Sequence, residues 1–352
     1  MSRKALALAV LIVSAGLASC ALMQKLRSGD IAGVVSDVSR ADEMRRRCEE
    51  LNARPIVLKE EVAFGGAMAV GLSQRANGLF IEVDGGAEGL RDPAKVRLAD
   101  VPKNQLNRYL NLVGKNLAAQ SARPTLEWTF GVIDSDAVNA FSTPGGYVLV
   151  TRGLLRKIDN EAQLAGVLGH EIAHVTERHA LNAYRRIKAL ECSAAVGGAG
   201  AEMLVGRETV ASVKQGAALA ASAAASFNSM VAPGNSDGSV DFDAQGNHDA
   251  LAYLTDKVID FIASHGFDQN DETDADRIGM ELAMGAGYQP REYIAFLGKL
   301  PDSKETFPNH PARELRQKAL NDRLDGLDDP LLPDPNAKYV IKPLKAELAA
   351  AR

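Results

Sequence analysis

Cysteine is nearly absent: 352 residues carry three, Cys20, Cys48 and Cys192. None stands in a C-x-x-C or related spacing, which excludes a disulfide-stapled small scaffold and a cysteine-built zinc site, although a Cys48–Cys192 bridge stays open in an oxidising compartment. Charge of one sign is also missing. Lys and Arg number 40 against 45 Asp and Glu, for a net charge of −5, and the short run Arg45–Arg47 is flanked by acids and reads as a solvated helix face. That balance argues against an electrostatic nucleic-acid binder. Apolar runs are short. A bilayer span takes about 20 residues; Ala5–Ala18 falls below that, and the alanine- and glycine-rich stretch 192–227 is interrupted by Glu202, Arg207, Glu208 and Lys214. There is no internal repeat.

Histidine is scarce as well, with six in the chain, yet two of them frame the segment GHEIAH. On a helix that turns about 100° per residue, His170 and His174 lie about 40° apart, so both imidazoles can hold one ion. Glu171 between them suits a general base acting on water at the metal. An amphipathic helix with no such role is the bland alternative. It leaves Glu171 projecting from the apolar stripe of Leu164, Leu168, Ile172 and Val175, where an unpartnered carboxylate costs several kcal/mol on the order of a lost ion pair. Asn160 and Gln163 read as a capping box, and the apolar repeat predicts an unbroken helix to about Leu181. On that helix His179 lies about 140° from His174, with no glycine turn to swing it back, and it reads as a packed or capping histidine.

A third ligand is needed, and Glu272 in DETDADRIG is the best candidate. Glu272 and Asp276 share one face of a predicted helix, so Glu272 can bind while Asp276 accepts the second ring proton of a ligating histidine. The small residues Ala275 and Gly279 would let this helix approach the first closely. Asp268, Asp271 and His248 are fallback ligands.

HEIAH followed by E-x-x-A-D resembles the glutamate-zincin peptidases that include the heat-shock protease HtpX, the type I CAAX prenyl endopeptidase and periplasmic envelope quality-control proteases. The resemblance covers roughly Lys59 to Leu320, including NAFSTPGGYVLVTRGLL at Asn139–Leu155. It implies a zincin-like α+β fold, predominantly helical, with a small sheet beside the HExxH helix, and one zinc ion. It also implies that Phe141, Ser142, Thr143, Pro144, Gly145 and Gly146 face an extended substrate. Read from the residues alone, the alternation of Leu126, Trp128, Phe130 and Val132 predicts one strand and Tyr147–Val150 a second, with Pro144, Gly145 and Gly146 as punctuation between the pair. The family also carries a histidine–proline pair followed by an arginine, here His310, Pro311 and Arg316. His310 can stabilise a developing oxyanion or occupy the fourth zinc position; Arg316 can meet a substrate carboxylate, the oxyanion, Glu314 or a neighbouring helix.

Arg3 and Lys4 ahead of the short apolar run predict a signal peptide over residues 1–19. Leu17-Ala18-Ser19-Cys20 resembles the lipobox of bacterial lipoproteins, which implies lipidation of Cys20 and anchoring in the cell envelope. Ala21 then favours the periplasmic face of the outer membrane. A tether over 20–52 precedes a peptidase domain over 53–328, with helices predicted at Lys59–Arg75 and Lys103–Gln120, an inserted Ala/Gly-rich segment and polar loop over 192–250, and a proline-punctuated tail over 329–352. The expected function is zinc-dependent cleavage of unfolded or misassembled envelope proteins, with protein or peptide substrates and a membrane as partners and no nucleic acid. The alternative is a latent zinc-stabilised binding or chaperone-like module, closed by His310.

Overall fold

The structure is a computed structural model that describes residues 25, 27–80, 105–190, 245–300 and 313–327. It divides into two compact units, one of residues 1–57 and 185–254, the other of residues 58–184 and 255–352. In the first, α1 (Ile31–Ala53) starts at Asp30, whose side chain accepts from Gly33 N–H at 2.9 Å. Arg45 on this helix pairs with Asp42 at 2.9 Å and Glu49 at 2.6 Å, and all three side chains are exposed, as a solvated helix face requires. Among the described residues no helix is long and apolar enough to cross a membrane.

The second unit is helix-rich α+β, as the sequence predicts, with a three-stranded sheet. Helices α2 (Leu58–Arg75) and α3 (Gln105–Ala118) precede strands β1 (Thr129–Ile133), β2 (Ala140–Thr143) and β3 (Tyr147–Thr151). Then come the short α4 (Arg152–Leu155), α5 (Glu161–Thr176), α6 (Gln245–His265, in this unit from Thr255), α7 (Gln269–Gly285), α8 (Pro290–Leu297) and α9 (Arg313–Asp325).

The sheet order is β1-β3-β2, with β1 parallel and β2 antiparallel to β3. This corrects the strand pair expected from the sequence. The Pro144–Gly146 turn joins β3 to β2, where Gly145 and Gly146 take φ of 79° and 99°, conformations that suit residues without a Cβ. The predicted first strand instead runs parallel to β3, a pairing that a tight turn cannot make. Its open edge is closed by α3. Asn107 Oδ1 accepts from Val132 N–H at 3.0 Å, and Asn111 accepts from Phe130 N–H at 3.1 Å while donating to Phe130 C=O at 2.6 Å.

Helix α5 occupies the centre of this core. Asn160 accepts from Gln163 N–H and Gln163 Oε1 from Asp159 N–H, each at 3.0 Å, so the predicted start is capped in both directions. Every residue from Glu161 to Val175 is buried. The two histidines therefore lie in a stretch that is buried on every face rather than along one apolar stripe. Buried Glu161 at its start takes hydrogen bonds from Tyr109 and Tyr288. The helix also ends earlier than its periodicity suggests. It stops at Thr176, Arg178 adopts a left-handed φ of 61°, and a new helical run covers 179–190.

Candidate active site

Two close approaches assemble the site. A Cβ on Gly169 would lie 2.5 Å from Gly279 O, and one on Gly279 would lie 2.4 Å from His170 N. Bare backbone at both positions lets α5 and α7 touch, and this brings Glu272 over the two histidines. His170 Nε2 and His174 Nε2 are 3.1 Å apart. Glu272 Oε2 lies 3.7 Å from the first and its Oε1 lies 3.6 Å from the second. Ligands about 2.0–2.2 Å from one tetrahedral ion are separated by about 3.3–3.6 Å. The two imidazoles and one carboxylate are all buried and fit a zinc ion in both chemistry and spacing. Among the described residues this is the one three-residue group able to hold a metal. Of the fallback ligands, Asp268 occupies the N-cap position of α7 and Asp271 faces His179 at 3.6 Å; nothing is described of the His248 side chain.

Behind the metal-facing atoms, His170 Nδ1 lies 2.9 Å from Asp276 Oδ1. Burial lowers the pKa of His170, but the hydrogen bond to Asp276 and the charge of that carboxylate raise it by more. Asp276 in turn receives Arg316 Nε at 2.7 Å, Arg316 Nη2 at 2.6 Å and Tyr293 O–H at 2.7 Å. Burial alone would push the Asp276 carboxyl up. The Arg316 guanidinium, with hydrogen bonds from Arg316 and His170, holds it well below the usual carboxylate range. Arg316 is thus placed on Asp276 of the neighbouring helix α7, one of the options left open by the sequence, and not on Glu314, which pairs with Arg313 at 3.0 Å. Tyr293 escaped the sequence reading, because a tyrosine three residues after Pro290 carries no signal of its distant partner.

On the other side, His174 Nδ1 and His179 Nδ1 are 2.7 Å apart. Phe267 stacks on the His174 ring, with centroids 4.5 Å apart and planes at 28°.

Glu171 lines a cleft together with Ala140, Val167, Tyr293, Phe296 and Arg316. A second cleft runs between Ser142–Pro144 of the β2 end and His174, Val175 and Arg178. Strand β2, at the sheet edge, is therefore bordered by residues of the HExxH helix at both ends. Of the six residues expected along a substrate, Phe141 and Ser142 are half-buried, whereas Thr143, Pro144, Gly145 and Gly146 are buried, and Thr143 and Gly145 are fastened to α2. Thr143 donates to Gly65 C=O at 2.8 Å, and Gly145 N–H donates to Glu61 at 3.1 Å. Glu61 also receives both terminal nitrogens of Arg123, at 2.6 and 2.9 Å, and Arg123 reaches Val175 C=O at 3.4 Å. One carboxylate on α2 so links the β2 turn to the end of the HExxH helix. His310, Cys20 and Cys192 lie outside the described residues, and so does the Cys48 side chain.

An HExxH helix answered by a carboxylate from a second helix, beside a small sheet, defines a zinc metallopeptidase. Residues 104–324 match the profile of Peptidase family M48, and the chain belongs to that family. It is similar to the beta-barrel assembly-enhancing protease of Yersinia pestis, at 30% identity over 219 residues, covering 62% of this chain and 37% of that protein. The protein of the same name in Escherichia coli K12 is 27% identical over 261 residues, covering 72% of this chain and 44% of its own. Mitochondrial metalloendopeptidase OMA1 of Bos taurus is 25% identical over 208 residues, covering 56% and 32%. The chain spans less than half the length of each of these relatives.

Proposed function

We propose that this chain is a zinc endopeptidase of the bacterial envelope, anchored through lipidated Cys20, that hydrolyses unfolded or misassembled envelope proteins. The observation that carries the chemistry is the convergence of His170, His174 and Glu272, with Glu171 next to the first ligand and lining an adjoining cleft. A zinc ion held there would polarise the scissile carbonyl and bring the pKa of a water to about 7. Glu171 takes the proton of the attacking water and returns it to the leaving amine. Asp276 fixes the ring of His170, and Arg316 and Tyr293, which also line the cleft beside Glu171, fix Asp276. His310 acts on the oxyanion or closes the fourth metal position.

An extended chain added at Phe141 and Ser142 to the outer edge of β2, which pairs with no further strand among the described residues, would gain main-chain hydrogen bonds without regard to sequence. The apolar walls of the cleft beside Glu171, Val167, Phe296, Leu297 and Leu300, suit a side chain that a folded protein would bury. The relatives named for beta-barrel assembly support a substrate in the envelope.

The test is cleavage of an unfolded reporter protein by the purified chain, with zinc content measured alongside. Wild type should cleave, and Glu171→Gln should keep its zinc and lose cleavage. A zinc-bearing Glu171→Gln enzyme of normal activity would remove Glu171 from this role. Wild type that binds one zinc and cleaves nothing, even after His310→Ala, would overturn the peptidase reading in favour of a binding module.

A further inference from the structure

The break after α5 puts a residue beside the metal site that an unbroken helix would have turned away. With Arg178 in the left-handed region, the helix is interrupted and His179 meets the ring of His174 edge to face, with centroids 4.9 Å apart and planes at 73°. His179 is buried, at 5% exposure. Its Nδ1 is 2.7 Å from the Nδ1 of His174, a separation at which two ring nitrogens share a single proton, one donating and the other accepting.

The direction of that bond follows from the other nitrogen of His174. Its Nε2 faces His170 Nε2 and Glu272, so a metal held by this group needs the lone pair of Nε2 and leaves the ring proton on Nδ1. His174 is then the donor and His179 Nδ1 the acceptor. The proton of His179 consequently sits on its Nε2, which faces Asp271 Oδ1 at 3.6 Å. Phe267 fixes the plane of this arrangement, stacked on His174 and 5.7 Å, centroid to centroid, from His179.

We propose that His179 is a positioning residue for the metal site: it accepts the Nδ1 proton of His174, and so fixes both the tautomer and the orientation in which His174 presents Nε2 to the ion. The two histidine ligands are thereby held differently. His170 sets its Nδ1 2.9 Å from an anionic carboxylate, Asp276, itself fixed by Arg316, whereas His174 donates to a second imidazole. His179 is not a ligand, because its Nδ1 is engaged with His174 Nδ1 and its Nε2 faces Asp271. Outer partners of this kind are worth about 10- to 100-fold in metal affinity. This inference rests on the assignment of His170, His174 and Glu272 as metal ligands.

The experiment is chelator competition for zinc on the full chain purified in detergent, comparing wild type with His170→Ala, His179→Leu, His179→Asn and Asp271→Asn. Wild type should bind one zinc, and His170→Ala should abolish tight binding; absence of tight binding in wild type would overturn the ligand assignment itself. His179→Leu should weaken zinc by about 10- to 100-fold, and should shift the visible bands of the cobalt-loaded protein. His179→Asn, whose Oδ1 takes the place of Nδ1 as an acceptor, should recover most of the affinity. Asp271→Asn, further out, should weaken binding less and in the same direction. Tight one-zinc binding in wild type with equal affinity in His179→Leu would overturn the role of His179 alone. Equal losses in His179→Leu and His179→Asn would reduce His179 to packing. Circular dichroism of each metal-free variant checks its fold, and if His179→Leu unfolds, the Asn and Asp271 variants decide: unchanged affinity in Asp271→Asn together with a full loss in His179→Asn would overturn the proposal.

Discussion

Arg316 lays its Nε and Nη2 on the two oxygens of Asp276, at 2.7 and 2.6 Å, and Asp276 offers one of those oxygens to His170. Both partners are buried, so removing one strands the other. Arg316→Leu is expected to destabilise the metal-free protein by about 3–5 kcal/mol at neutral pH, the usual result of leaving a buried charge uncompensated. Thermal unfolding measures it, and a loss under about 1 kcal/mol, the level of an exposed pair, would contradict the arrangement.

The same pair sets a pH dependence. The folded-state pKa of Asp276 is depressed, so the stability from its ionised form is fully present above the ordinary carboxylate value of about 3.9 and is lost as pH falls towards the lower folded value. Without Arg316 the depression shrinks. The acid-unfolding midpoint of Arg316→Leu should therefore lie at higher pH than that of wild type, followed by far-ultraviolet circular dichroism.

The contact of Gly169 with Gly279 makes a different demand. Gly279→Ala puts a methyl group 2.4 Å from His170 N, and the two helices must separate. Overpacking of this kind costs about 1–3 kcal/mol, and here the separation also draws Glu272 away from the histidines. Melting temperature and zinc affinity should fall together. A lower melting temperature with wild-type zinc affinity would show that the helices yield somewhere other than at the site.

Zinc should raise the melting temperature of the metal-free protein, since a ligand bound only by the folded state at a thousand times its Kd adds about 4 kcal/mol. Glu272→Ala should remove most of that gain, whereas Asp268→Ala should retain it. The reverse pattern would transfer the third ligand position to Asp268.

Glu61→Ala tests the link from α2. It strands Arg123 and frees the Gly145 N–H, and because Arg123 is 16% exposed the loss should fall near or below the lower end of about 3–5 kcal/mol. The turn after β2 loses one of its two hydrogen bonds to α2 at the same time, keeping that of Thr143 to Gly65. Peptide cleavage by the folded variant should show a raised KM with kcat little changed, in steady-state kinetics with a fluorescent peptide.

What was legible in the sequence depended on local spacing. The four-residue steps His170–His174 and Glu272–Asp276, the Asn160 cap and the small Gly279 are properties of one helix face each. They fix which atoms share a face before any partner is known. The β2–β3 turn was visible as punctuation, but the partner of the preceding strand was not, because a parallel neighbour leaves no mark in the residues between. Arg316 and Tyr293 became interpretable only once α7, α8 and α9 were side by side around Asp276. The end of α5 was misplaced for another reason. Left-handed backbone is usually announced by glycine or asparagine, and here an arginine adopts it.

That arginine gives the site an economy of parts. From His170 to His179, ten consecutive residues supply two candidate ligands, the candidate base and a brace for one ligand, since the break at Arg178 sets His179 against His174. Only the Glu272–Asp276 face must be brought from elsewhere. In engineering terms the segment is a nearly self-sufficient cassette, whose transplantation requires a facing helix with glycine at the crossing and a backbone free to turn left-handed where Arg178 does.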